Sequence, residues 1–419
     1  MLLLVNLTIA SSALLASFLP GPSGAWYRIA AWVRAFVPPG GSTLDFGFSE
    51  EQEMLRQSAR NLLEKECPST VVRALMEGEP GYDRTLWKKM AELGWTGLVI
   101  PEEYGGAALS YVDLVLVLEE MGRVVMPSPF IWTVMVAEAL KRAGSAAQKQ
   151  ALLPKIASGD LIATLAWLEP SASWDAASIT LPARISNADY VLDGTKLFVN
   201  DGHIADCLLV AARTGGAGED GVTLFALESK RAGLSVAPLT TMDQTRKLAE
   251  IKFAGVKATA ADVVGEVGKG WRTLAEVLDR GKVMLAAEMM GGAQKVLDTT
   301  VDYAKMRVQF GRPIGSFQAV QHKCANMMID VEGAKSAVYY ASWAVSNDVA
   351  EAPVAAAVAK AAASDAFRRV SAEGIQLHGG IGFTWDHDLH LYFKRAKSSE
   401  FTFGDATYNR ELVAQGINL

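Results

Sequence analysis

The hydrophobic pattern of this 419-residue chain changes period twice, and that change constrains its fold more than any single motif. From Ser49 the apolar residues Met54, Leu55, Ala59, Leu62 and Leu63 recur at helical spacing. Ser49 and Gln52 read as a capping box that opens this first helix. Further helices are predicted over Asp83–Leu93, Tyr111–Met121, Trp132–Ala143 and Ser145–Ala157. Near residue 160 the rhythm turns to short apolar runs between Gly, Asp and Asn turns. These are Thr164–Trp167, Tyr190–Leu192, Lys196–Val199, Cys207–Ala212, Thr223–Leu227 and Ala249–Phe253, and they read as strands. The Gly265–Gly270 segment closes this region, and long amphipathic helices return from Trp271. The expected fold is therefore α+β and multidomain. It has an N-terminal helical domain (45–160), a small central β-barrel or sandwich (161–265) and a C-terminal four-helix bundle (266–419).

Composition narrows the function. Half the residues are hydrophobic, enough for a large core in more than one subdomain. The formal net charge of −6 comes with no long basic stripe, which argues against nucleic acid as a partner. Cys67, Cys207 and Cys324 are far apart and odd in number, as in reduced cytoplasmic chains and unlike a disulfide framework. Residues 1–44 stand apart. Leu2 to Leu19 is almost continuously apolar, and no charge occurs before Arg28. That length is near the lower limit for a membrane span, and the basic n-region of a signal peptide is missing. We read the leader as lying upstream of the true translation start, in preference to a membrane anchor, so membrane contact is not expected.

Two segments in the last third bring ligand-binding chemistry together. Met306–Lys323 contains Arg307-Val-Gln-Phe-Gly-Arg-Pro-Ile-Gly315, and Gln376-Leu-His-Gly-Gly-Ile-Gly-Phe383 follows some fifty residues later. Gly311, Pro313 and Gly315 force a break between helices. Arg307, Gln309 and Gln318 bring donors, and an Arg fork matches the oxygens of a pyrophosphate. Gly379 and Gly380 let backbone approach a flat or charged ligand. Together these segments resemble the acyl-CoA dehydrogenase family of flavoproteins, and the resemblance covers nearly everything after residue 44. It implies FAD as cofactor. It also implies that Arg307, Gln309, Phe310, Gln318, Gln376, Gly379 and Gly380 hold the ADP part across a subunit boundary, in a homo- or hetero-oligomer.

The same resemblance extends to two loops that would surround the flavin ring. Leu168-Glu-Pro-Ser-Ala-Ser-Trp-Asp175 is similar to the family's Thr-Glu-Pro-x-Ala-Gly-Ser-Asp, and Lys196-Leu-Phe-Val-Asn-Asp-Gly202 to its Lys-x-Trp-Ile-Thr-Asn-Gly. Donors near the ring stabilise the charge of the reduced flavin. Leu168 replaces Thr, Trp174 replaces Ser, Phe198 replaces Trp and Asn200 replaces Thr. Leu168, Phe198, Asn200 and Thr407 are the implied ring-side contacts.

The base is the departure. The implied chemistry is α,β-dehydrogenation of an acyl-CoA thioester, with electrons passed to an electron-transfer flavoprotein. A carboxylate must remove the α-proton. The family's Tyr-Glu-Gly-Thr motif, laid on Ala396–Tyr408, puts Phe403 where the Glu belongs. The alternative position on the post-barrel helix is Gly281. Three carboxylates remain as candidates: Asp405 first, then Glu288, two turns along from Gly281, and Glu400. Each also has a structural role open to it, as N-cap, Arg partner and solvated charge respectively. Three other functions stay open: a catalytically silent subunit of an α2β2 dehydrogenase, a nitroalkane-oxidase-like or monooxygenase-like flavoenzyme, and a non-catalytic CoA-ester or flavin scaffold. Asp386-His-Asp-Leu-His390 follows no zinc spacing, so no metal is expected. His378 reads as a core histidine anchoring backbone.

Overall fold

The computed structural model describes residues 47–187 and 189–419; the leader read at 1–44 lies outside them. The N-terminal helices are α1 (Glu50–Glu66), α2 (Ser69–Glu77), α3 (Arg84–Glu92), α4 (Tyr111–Arg123), α5 (Phe130–Ala143) and α6 (Ala146–Ala157). Their starts follow from local chemistry. The Asp83 carboxylate accepts from the N–H groups of Thr85 and Leu86, and Ser110/Asp113 and Ser145/Gln148 form capping boxes. Gln52 donates across to Asp113 Oδ1 at 2.9 Å, tying α1 to α4. Helix α2 was not expected, because only Val72 and Met76 bury from its nine residues, too few to reveal a period. Helix α5 is buried from Phe130 to Leu140, so it is a core helix apolar on every side.

The central strands are β1 (Ala163–Ala166), β2 (Ala183–Ser186), β3 (Asp189–Asn200), β4 (Cys207–Arg213), β5 (Val222–Glu228), β6 (Leu234–Leu239), β7 (Leu248–Ala258) and β8 (Val263–Val264). The expected barrel is not closed. Two four-stranded sheets, ordered β1-β4-β5-β8 and β2-β3-β7-β6, form instead. Leu208, Val210, Phe225 and Leu227 of the first bury against Leu192, Ile251, Phe253 and Val256 of the second, which makes a sandwich. Closure would need edge strands long enough to serve both sheets, and β1 and β2 have four residues each and β8 two. A second correction concerns Tyr190–Leu192 and Lys196–Val199, which are one strand. The register shifts between Leu192 and Gly194, where Gly194 has φ +141°, so Asp193-Gly194 is a bulge and not a turn.

The C-terminal region has α7 (Gly270–Met306), a hairpin of β9 (Val308–Gln309) and β10 (Arg312–Pro313), then α8 (Gln318–Ser346), α9 (Ala352–His378), α10 (Leu389–Phe401) and α11 (Ala406–Gly416). Phe310 and Gly311 turn the hairpin with φ of +53° and +79°, the sign a two-residue turn of type I′ needs. The alanine run of α9 buries Ala355, Ala356, Ala359 and Ala363, as a close-packing face. Helices α4 and α7 cross backbone to backbone. A Cβ at Gly122 would lie 1.9 Å from Glu288 O, and one at Gly291 would lie 1.8 Å from Glu119 O. Only glycine fits there.

Candidate active site and cofactor cradle

The two motifs of the last third come together in space. Tyr303, one turn before Arg307, stacks on His378 at 4.2 Å, and its hydroxyl donates to His378 O at 3.4 Å. This joins the end of α7 to the end of α9. Arg307, Gln309, Gln318, Gln376 and Gly380 are all exposed in the protomer. Phe310 is 92% exposed and meets its own chain at Phe317, edge to face with ring centroids 6.1 Å apart. Among the described residues Arg307 has no ion pair, and a Cβ at Gly379 or Gly380 would meet nothing within 4 Å. A free guanidinium beside bare, open backbone fits the ADP half of FAD. The outward aspect of these groups fits a cofactor shared with a neighbouring subunit.

The two ring-side loops are fastened to each other by groups that touch no ligand. Leu197 N–H donates to Leu168 O at 2.9 Å. Next to these residues, Lys196 Nζ pairs with Glu169 Oε1 at 2.7 Å, and both side chains are buried. Glu169 also accepts from the N–H groups of Thr180 and Leu181. Burial pulls the Lys196 ammonium down to about 8, against the pull of Glu169. That the Lys and Glu of these two motifs form one buried pair is not visible from their separation of 27 residues along the chain. Phe198 is half exposed at φ +55°. Asn200 is buried with its carbonyl oxygen unpartnered, while its backbone carbonyl accepts from Thr164 Oγ1 at 2.6 Å. Leu168 is half-buried, and Thr407 is exposed on the first turn of α11. An orphaned amide oxygen and an exposed aromatic on one strand end suit a flat polar ring.

A cavity of about 230 Å³ adjoins these loops, lined by Trp167, Trp174, Trp271, Asp279, Phe403 and Tyr408 among others. Trp174 packs on Tyr408 at 5.1 Å, and the Tyr408 hydroxyl donates to Asp175 Oδ1 at 3.2 Å. Burial and Asp175 raise that phenol well above its ordinary value. Phe403 is 3% exposed, its ring 5.3 Å from that of Trp132. A Cβ on Gly281 would lie 2.9 Å from Phe403 Cζ. The two positions at which the resemblance places a base thus face each other. One is a phenyl ring, and the other is the glycine that makes room for it.

The candidate carboxylates fall elsewhere. Asp405 caps α11 by accepting from Tyr408 N–H at 2.8 Å, and it is not among the cavity-lining residues. Glu288 takes the other role left open for it, that of a buried Arg partner. Both its oxygens are taken by Arg246, at 2.9 and 2.8 Å, and Arg395 also donates to it. It is a buried ion-pair partner between the β region and the helices, and it is not among the cavity-lining residues. Glu400 pairs with Lys397 at 2.5 Å. The carboxylate that does line the cavity is Asp279, which was missed. It lies two residues before Gly281 and pairs with Lys282 at 2.9 Å. Its place on the lining was not visible from Gly281 alone, because the cavity runs along α7 toward Trp271. Asp388 of the acidic–His run pairs with Arg73 at 2.8 Å. His378 Nδ1 sits 2.7 Å from Gly374 O, in the backbone-anchoring role expected of it.

Comparison with known proteins accounts for this arrangement. Three family models match in order: acyl-CoA dehydrogenase N-terminal domain over residues 49–160, middle domain over 164–256 and C-terminal domain over 268–418. The chain is 37% identical over 351 residues to acyl-CoA dehydrogenase IpdE2 of Mycobacterium tuberculosis, covering 84% of this chain and 92% of the relative. It resembles the solved butyryl-CoA dehydrogenase of Megasphaera elsdenii with a TM-score of 0.84 at 28% identity, covering 90% of this chain and all (100%) of that one. It also resembles a chain of the ChsE4-ChsE5 complex from Mycobacterium tuberculosis, with a TM-score of 0.81 at 30% identity over 90% and 99% of the two chains. Such membership implies FAD as the cofactor, and the cradle described above fits it. The chain belongs to the acyl-CoA dehydrogenase family of flavoproteins.

Proposed function

We propose that this chain serves the FAD-dependent α,β-dehydrogenation of an acyl-CoA thioester as the subunit without a base, in a cytoplasmic hetero-oligomer whose other subunit type carries one. The observation behind this reading is the Phe403–Gly281 contact, which fills the place of the proton acceptor with a hydrocarbon ring. When bound, FAD would take the hydride from the acyl β-carbon. This chain's Arg307, Gln309, Gln318 and Gln376 would hold the ADP part of a shared cofactor, with Phe310 packed beside it. The Lys196–Glu169 pair would keep the ring-side loops in register. Asp279, the carboxylate on the cavity lining, gives Oδ1 to Lys282 at 2.9 Å, and Asp279→Asn in the mixing test below would show whether it takes any part. The exposed Phe310, Phe383 and Trp385, at 92%, 72% and 60%, suit burial under a partner of the same fold. A solved relative is itself a complex of two differently named chains, ChsE4 and ChsE5. Electrons would leave through an electron-transfer flavoprotein.

The test is anaerobic mixing of the FAD-loaded full chain with octanoyl-CoA, followed at the flavin absorption band. No bleaching is expected from the chain alone, and bleaching is expected once it is co-expressed with a family member that retains the Glu. Rapid bleaching of the chain by itself would overturn the assignment. Oxygen uptake with a nitroalkane would point to the oxidase chemistry instead.

A further inference from the structure

We propose that Lys360 is a positioning residue that holds Phe403 in the base pocket, and so sets whether the neighbouring cavity admits an acyl group. This rests on the reading above that Phe403 closes that pocket. Lys360 lies on α9 and is fully buried, at 0% exposure. Its Nζ lies 2.8 Å from Ser364 Oγ, 3.0 Å from Glu400 O and 3.0 Å from Gly404 O. A lysine ammonium has three N–H donors and no acceptor. Here three acceptors meet them, and two of those are backbone carbonyls that bracket Phe403. Glu400 O belongs to the last turn of α10, where carbonyls have no partner within the helix. Among the described residues Lys360 has no carboxylate within ion-pair distance, so Ser364 and the turn itself are the partners of an amine that burial pulls down to about 7.

The turn needs such a hold. Phe403 has φ +61° and Gly404 φ +87°. A phenylalanine keeps a left-handed backbone only where its surroundings over-determine it. Asn409 on α11 grips the same turn from the other side, its Nδ2 lying 3.2 Å from Phe403 O, 3.0 Å from Gly404 O and 2.9 Å from Asp405 O. Between them the two side chains occupy every carbonyl from Phe403 to Asp405. With the backbone held in this way, the ring lies against Gly281 and Trp132. Neither Lys360 nor Asn409 lines the cavity. They act through Phe403.

The experiment is a double-mutant cycle on the full chain, with octanoyl-CoA binding measured by calorimetry. Phe403→Ala should bind the ester about ten-fold more tightly than wild type, and Lys360→Met should gain a part of that, about three-fold. In the Phe403→Ala background, Lys360→Met should change nothing. A residue that merely stabilises the fold would shift both backgrounds alike. A gain for Phe403→Ala with none for Lys360→Met, or an effect of Lys360→Met that persists without Phe403, overturns the positioning role alone. No gain for Phe403→Ala sinks the closed-pocket reading and this inference with it. Should Lys360→Met not fold, ¹⁵N-lysine spectra of wild type and Phe403→Ala decide the question. A clamped Lys360 gives one slowly exchanging ammonium signal that moves on removal of the ring. A Lys360 signal that exchanges freely, or that ignores Phe403→Ala, overturns the proposal.

Discussion

At the ADP end of the cradle, Arg307, Gln309, Phe310 and Gly380 stand in solvent with open space around the backbone. At the acyl end, Met135 and Phe403 crowd Gly281, where an added Cβ would lie within 2.9 Å of both, and Trp132 packs on the Phe403 ring at 5.3 Å. Arg307, Gly380, Gly281 and Phe403 all belong to the C-terminal helices and their connections, with Trp132 and Met135 of α5 added at the acyl end, so a general loosening of the fold does not explain the contrast. Groups that would bind a cofactor with a neighbour are in place. On the function proposed above, the group that would take a proton is replaced by packing. Binding needs only donors and a shape that can be presented outward, whereas proton abstraction needs one carboxylate at one point in a dry pocket. One substitution can remove the second without touching the first.

The contrast can be broken most directly by putting the carboxylate back. Phe403→Glu should let octanoyl-CoA bleach bound flavin in single-turnover mixing, with a gain of about 10²–10⁴-fold over wild type, the usual contribution of a general base. If the gain is absent, the acyl end lacks more than its base.

The next effect is on stability and tests whether Glu288 is structural. Arg395→Leu leaves Glu288 with Arg246 alone and strips Asp243 of a partner at 3.0 Å. Breaking a buried pair on one side costs about 3–5 kcal/mol, so the denaturant midpoint should fall sharply. A midpoint within error of wild type would return Glu288 to the candidates for catalysis.

At the ADP end, Arg307→Ala removes a charge-assisted contact worth about 1.5–3 kcal/mol, roughly ten-fold or more in affinity. FAD should be lost on dialysis, with loosening of the oligomer. Full flavin occupancy after dialysis would mean the cradle is held by other residues.

The mildest effect depends on pH. Asp201 follows Asn200, is buried with Oδ2 unpartnered, and burial pushes its carboxyl up to about 7. Between the ordinary value near 3.8 and 7, the folded chain binds a proton that the unfolded chain has released, so this group lowers stability as pH rises through that window. Asp201→Asn should therefore be more stable than wild type at pH 8, by on the order of 2 kcal/mol, and equal to it near pH 4. A difference that does not shrink on acidification would assign the effect to something other than this carboxyl.

Much of the molecule was legible before any coordinates. The change of period near 160 and again at 271 marks where helices give way to strands and return. Asp83, Ser110 and Ser145 are capping residues whose action is complete within four positions of chain. The Arg307–Gly315 and Gln376–Phe383 segments, with the family models that match over 49–160, 164–256 and 268–418, carry the family. That Phe403 stands where the resemblance puts the base is likewise visible as a letter of the sequence.

What the sequence alone determined, then, is whatever depends on neighbours along the chain: most element types, the order of the three regions and which residues, Gly281 and Phe403, stand at two motif positions. Only the tertiary structure decided that those two positions touch, because residues 281 and 403 meet through the packing of α7 against the α10–α11 turn. It also decided that the β region is a sandwich, that Glu288 is spent on Arg246 and Arg395, and that Lys360 reaches the turn beside Phe403. Each of these rests on hydrogen bonds, charge pairs or van der Waals contact between distant segments. Their free energies depend on distances of a few ångströms that no spacing along the chain encodes.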